Sequence, residues 1–115
     1  MSQLTGIKTI KDNIEIIKLN GEVDESNIDE LKNLVLPFLD LDKDFLILNL
    51  DKLTFINSMV IGWFSGLVGD FDEKGKKLIF SEPNDEIFDI IDLVGLTAVI
   101  ETYDNDEEAL LSIDD

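Results

Sequence analysis

Apolar positions change their spacing along the chain and mark out strands and helices in turn. A short strand is expected from about Gly6 to Ile10. Asp12-Asn13 carries a turn signal, and the β-branched run Ile14 to Leu19 reads as a second strand, so the two form a hairpin. Asn20-Gly21 breaks the run and Asp24 to Ser26 supplies helix-starting residues. Ile28, Leu31, Leu34, Val35 and Phe38 then recur at helical spacing, and Pro37 predicts that this helix ends or kinks near Leu36. After the acidic turn Asp40 to Asp44, Phe45 to Leu50 is too continuously apolar for a half-exposed strand. It predicts a central strand covered on both faces, ended by Asp51-Lys52. Leu53 to Ile56 leads into a helix from Ser58, closed in the region of Gly75, and Lys77 to Phe80 is another buried strand. Asn84 caps a helix with the face Ile87, Ile90, Ile91 and Val94, stopped by Gly95. Leu96 to Thr102 reads as the last strand and Asp104 to Ile113 as a short helix with acidic residues in its first turn.

After the hairpin, strands and helices alternate, which implies a mixed, mostly parallel sheet covered by helices and joined by right-handed crossovers. The expected fold is therefore a small α/β domain, with all 115 residues in one unit.

The helix from Ser58 divides into unlike faces. Val60, Ile61, Phe64, Leu67, Val68 and Phe71 gather on the expected core side. Ser58, Gly62, Ser65, Gly66 and Gly69 fall opposite, with Met59 and Trp63 along one flank. Interior glycines cost roughly 1 kcal/mol each against alanine, so a face this bare implies close approach, either by a partner or by another part of the same chain. Asn57 and Ser58 are both N-cap types, which capping alone explains. A phosphate on Ser58 would also be well placed, because first-turn N–H groups and the positive end of the helix dipole favour negative charge.

Composition narrows the chemistry. The formal charge of −17 arises from 26 acidic residues against nine lysines, with no arginine, histidine or cysteine. Nucleic acid and anionic membrane surfaces need cationic contacts, so the charge argues strongly against both as partners, and no membrane insertion is expected. A basic protein patch suits such a surface, and solubility alone also accounts for it. The missing histidine and arginine remove the usual neutral-pH base and the fork for phosphate or carboxylate. The lack of cysteine removes disulfides and thiolate metal sites. Together with the absence of an export leader or a long apolar run, it points to the cytoplasm. Asp40, Asp42, Asp44 and Asp51 have the spacing of a calcium loop, but Phe45 stands where glycine is required, so a solvated turn is expected. No metal or cofactor is implied.

Three stretches, Gly21-Glu22-Val23-Asp24 before the first long helix, the strand-to-helix turn holding Ser58, and the lysine-rich turn into a strand at Lys74 to Phe80, lead to a tail, Asp92 to Leu110, that reads DLVGLTAVIETYDNDEEAL. In this order the chain resembles the STAS domain family from about Ile14 to Leu111, and in length it is most similar to bacterial anti-sigma-factor antagonists. In that family the central helix opens with Asp-Ser-(Ser, Thr or Ala)-Gly-(apolar)-Gly. The resemblance implies that the serine is phosphorylated by a partner kinase, itself the anti-sigma factor, and freed by a phosphatase. Here the stretch is Asn57-Ser58-Met59-Val60-Ile61-Gly62: Ser58 takes the phosphorylated position and Gly62 the second glycine, while Asn57 and Val60 depart from the pattern.

The leading expectation is a regulatory, non-enzymatic domain that binds a protein partner. Its contact surface would be Glu22, Asp24 and Ser26 of the turn with Asn57, Ser58, Met59, Gly62, Trp63 and Gly66 of the helix, and Ser58 would be the switch. The alternative is an unmodified STAS subunit of a lipid-transporter or sensory complex, in which Ser58 only caps. A catalytic Ser58 would have to draw on Lys52, Tyr103 or scattered carboxylates, without a Gly-x-Ser-x-Gly elbow. The oligomeric state is expected to be monomer or weak homodimer, since the same strip could pair with itself.

Overall fold

A computed structural model describes residues 3–113. The opening hairpin forms from β1 (Leu4–Lys11) and β2 (Ile14–Val23), antiparallel with Ile7 opposite Lys18, and Asp12 takes a left-handed conformation (φ 53°) in the turn between them. Beyond β2 the chain keeps the expected alternation, through α1 (Ile28–Val35), β3 (Phe45–Ile56), α2 (Ser58–Glu73), β4 (Lys77–Ser81), α3 (Asp85–Leu93), β5 (Glu101–Tyr103) and α4 (Asp106–Ile113). The five strands lie in the order β1-β2-β3-β4-β5, and every pair after the hairpin is parallel.

Alternation within the strands decides which face each helix covers. Ile17, Leu19, Leu46, Leu48, Leu50, Leu78 and Phe80 face α1, α2 and α3 in the main core. The opposite parity, Ile14, Ile47 and Ile79, meets Ala109 of α4. Leu46 to Leu50 are all buried, which explains the unbroken apolar run expected of a central strand. Two aromatic contacts hold α2 in place: Phe64 meets Phe80 of β4 edge-on at 5.2 Å, and Phe71 stacks on Phe38, in the segment after α1, at 5.6 Å.

Several boundaries differ from the sequence expectation. β2 runs through Asn20-Gly21, and β3 runs through Asp51-Lys52, because polar residues at these points lie where the two strands slip register against each other. Pro37 does end α1, at Val35, and a 3-10 turn over Leu36–Asp40 carries Phe38 into the core. Leu96 to Thr102 is not one strand. Leu96–Ala98 forms a 3-10 turn after the left-handed Gly95, and only Glu101–Tyr103 pairs with β4. On α2 the buried stripe is Val60, Phe64, Leu67 and Phe71, while Ile61 and Val68 are only half-buried at its margins. Val94 lies beyond the end of α3 and is exposed. The last helix starts at Asp106 instead of Asp104, with Asn105 accepting from the N–H of Glu108 at 2.8 Å.

Candidate functional site: the start of α2 and its exposed ridge

In the parallel pair β2/β3, Glu22 sits opposite Phe55 and Val23 opposite Ile56. The two strands therefore end side by side, and the turn after β2 and the helix start after β3 form one surface, as at the carboxyl ends of strands in other open α/β sheets.

After β2 the chain makes a turn that is tied internally. Asn27 is buried, accepts from the N–H of Asp24 at 2.9 Å and donates to the carbonyl of Glu22 at 2.8 Å. Asp24 Oδ1 accepts from the Ser26 hydroxyl at 2.5 Å and from the Ser26 N–H at 2.8 Å. These two bonds, the hydroxyl first, hold the Asp24 carboxyl below its ordinary range. Asp24 to Ser26 thus stabilises this turn and does not cap α1 directly.

After β3, Asn57 caps α2: its Oδ1 accepts from the N–H of Val60 at 3.1 Å, as the sequence predicts of an asparagine before a helix. Ser58 is the first helical residue and is exposed. Met59 beside it is 52% exposed, and Trp63 is half-buried against Phe64 at 5.4 Å. Gly62, Gly66 and Gly69 line the outer face, and a Cβ built on any of them would meet nothing within 4 Å. Of the two reasons for so bare a helix, close packing by the same chain is thereby removed among the described residues.

Two features of this surface, the contact made by Glu25 and the exposure of Phe55, are not evident from sequence reasoning. Glu25 reaches across from the first turn and accepts from Asn57 Nδ2 at 2.6 Å, a contact between residues 32 apart that no local spacing announces. Phe55, 45% exposed at the end of β3, adds an apolar group next to Glu22; alternation from the buried Leu53 would place it inside, so the sequence pattern does not mark it. The segments that build the surface bring no cation, since the sequence has no lysine between Lys18 and Lys32 or between Lys52 and Lys74.

Two of the groups named above as possible activators of Ser58 have other neighbours. Lys52 pairs with Asp51 at 3.7 Å, and the Tyr103 hydroxyl donates to Glu101. In the acidic turn, Asp44 accepts from Asn13 Nδ2 at 2.8 Å and clamps the hairpin. Among the described residues no group of three or more His, Cys, Asp or Glu side chains could hold a metal ion, and no helix is long and apolar enough to cross a membrane.

The STAS domain model matches residues 7–109. The chain belongs to the STAS domain family. An anti-sigma F factor antagonist from Paenibacillus polymyxa is 24% identical over 100 residues, 86% of each chain. A putative anti-sigma factor antagonist from Thermotoga maritima superposes with a TM-score of 0.83 at 21% identity, covering 96% of this chain and 95% of that one. The anti-sigma factor antagonist SpoIIAA in its unphosphorylated form gives 0.74 at 18% identity, covering 98% and 96%. The sheet order and helix placement described above are those of a STAS domain.

Proposed function

We propose that this STAS domain is a regulatory protein-binding module of the anti-sigma-factor antagonist type, with no enzymatic activity of its own. It docks a serine kinase that doubles as an anti-sigma factor, and it is released when that kinase phosphorylates Ser58. The observation that carries this reading is the open ridge. Three glycines that destabilise α2 by roughly 1 kcal/mol each face open space among the described residues, and a hydroxyl stands exposed at the ridge's tip.

Met59, Phe55 and the edge of Trp63 supply apolar anchors of the kind that dominate interfaces, and Glu22, Asp24 and Glu25 suit a lysine- or arginine-bearing partner. In the modifying step the Ser58 oxygen bonds to the terminal phosphorus of a nucleoside triphosphate held by the kinase. The diphosphate leaves, and the hydroxyl proton passes to a base of the kinase. A phosphatase reverses the step with water, returning the hydroxyl and inorganic phosphate. The added charge, close to two units, receives no cation from the segments that build the surface, so burying it weakens the contact unless a cation of the partner faces Ser58.

Affinity capture from the source cells, with phosphosite mapping, tests the reading. A captured kinase, phosphate on Ser58, tenfold or weaker binding by Ser58→Asp and retained binding by Ser58→Ala support it. A stable complex indifferent to both substitutions would make the domain a constitutive subunit instead.

A further inference from the structure

Both ends of the Asn57 side chain are used. Its oxygen caps α2 at Val60, and its nitrogen holds the Glu25 carboxylate at 2.6 Å. Few residue types can do this. Aspartate caps equally well but has no donor, so it would set two carboxylates face to face; serine caps but has no second arm. The bond draws a negative charge from the turn after β2 to the positive end of α2, one residue from Ser58.

Glu25 is exposed, and the rest of its turn stands without it, because Asp24, Ser26 and Asn27 are bonded to one another and to Glu22. Its carboxylate can therefore leave Asn57 while the backbone of the turn keeps its shape.

We propose that Glu25 relays the state of Ser58 to the turn after β2. With the hydroxyl free, Asn57 holds Glu25 against the start of α2, and the turn and the ridge form one tied surface. A phosphate on Ser58 occupies the same positive helix end and repels the carboxylate, and no lysine of either segment offsets that repulsion, so Glu25 swings into solvent. One modification thus alters both elements of the docking surface. This rests on the reading of Ser58 as the modified residue, and it adds the group that senses the modification.

The test needs no partner. Folding equilibria of the full chain are measured for Asn57→Asp, Glu25→Gln and the double variant, and for Ser58→Asp with and without Glu25→Gln. The Asn57 side-chain amide is monitored by NMR in the free protein, in Glu25→Ala and in protein carrying phosphoserine at position 58. Asn57→Asp is expected to lower the folding equilibrium constant about two- to fivefold, as like charges in contact at an exposed site do, and adding Glu25→Gln restores most of it with donor and acceptor exchanged. Ser58→Asp changes the folding equilibrium constant at least twofold more favourably in the Glu25→Gln background than in the parent, and phosphoserine moves the Asn57 amide signals to their Glu25→Ala positions. Equal Ser58→Asp effects in both backgrounds, or Asn57 signals that respond to Glu25→Ala but not to phosphoserine, overturn the relay. A partner released by phosphorylation without this coupling keeps the docking reading and removes the relay. Coupling without any partner does the reverse.

Discussion

Gly21 passes the carbonyl oxygen of Gln3 so closely that a Cβ on it would lie 2.1 Å from that oxygen, and its φ of +124° is one that residues with side chains rarely adopt. This contact lets β2 run past the start of β1 and continue two residues further to Val23, where the functional turn begins. Gly21→Ala therefore combines a backbone clash with conformational strain. It should destabilise the domain by about 3 kcal/mol, seen as a lower urea midpoint at unchanged slope. A loss below about 1 kcal/mol would mean the hairpin end adjusts freely.

The ridge glycines should behave in the opposite way. Gly66→Ala places a methyl group in open space on a helix surface, so it should stabilise the isolated domain by up to about 1 kcal/mol. The same methyl occupies the face offered to the partner, and binding should weaken as stability rises. Thermal unfolding and titration calorimetry on one preparation measure both signs. A variant that is more stable and binds equally well would move the contact off the ridge.

Asn84 repeats the capping logic of Asn57 at the start of α3. Its oxygen accepts from the N–H of Ile87 at 3.1 Å, and its nitrogen donates to the carbonyl of Leu53 at 2.6 Å. The second bond fastens the extended end of β3, which aims Asn57 and Ser58. Asn84→Ala should cost about 1–2 kcal/mol from the lost cap and the unpaired carbonyl together. Hydrogen exchange should quicken at Ile87 and in the Leu53 to Ile56 segment; protection unchanged there would reduce Asn84 to a local cap.

Much of this architecture is legible in the sequence because it rests on local periodicity: the α2 stripe, the alternating strands, and the asparagine caps at 57 and 84 are each visible within one or two turns of sequence. Local pattern fails where distant strands decide the outcome. Asp51-Lys52 and Asn20-Gly21 look like strand ends, yet β2 and β3 continue through them by slipping register, a decision made between strands and not within either. Leu96 to Thr102 looks like a strand, but Gly95 in the left-handed region starts a 3-10 turn there. The Glu25–Asn57 bond belongs to the same class, since it exists only because the ends of β2 and β3 are neighbours.

Glu15 supplies a prediction about pH. It lies on β2 with only 4% of its surface exposed, and among the described residues its Oε1 has no hydrogen-bond partner. Burial raises its pKa above the ordinary 4.5, and Lys8 and Lys43 offset only part of that rise. Because the folded state holds this proton more tightly than the unfolded state, Glu15's contribution to stability is fully present below the unfolded value. It is lost as pH rises through the folded value. Asp24 and Glu101, whose pKa values are lowered, act in the opposite sense: their contributions are present above the ordinary carboxylate range and lost as pH falls. Glu15→Gln removes only the first effect. The variant should gain stability relative to the parent as pH rises from 4.5 toward neutrality, and the gain should vanish at lower pH. Urea unfolding at a series of pH values measures that difference directly, and a gap that stays constant across the range would show that Glu15 remains solvated in the folded protein.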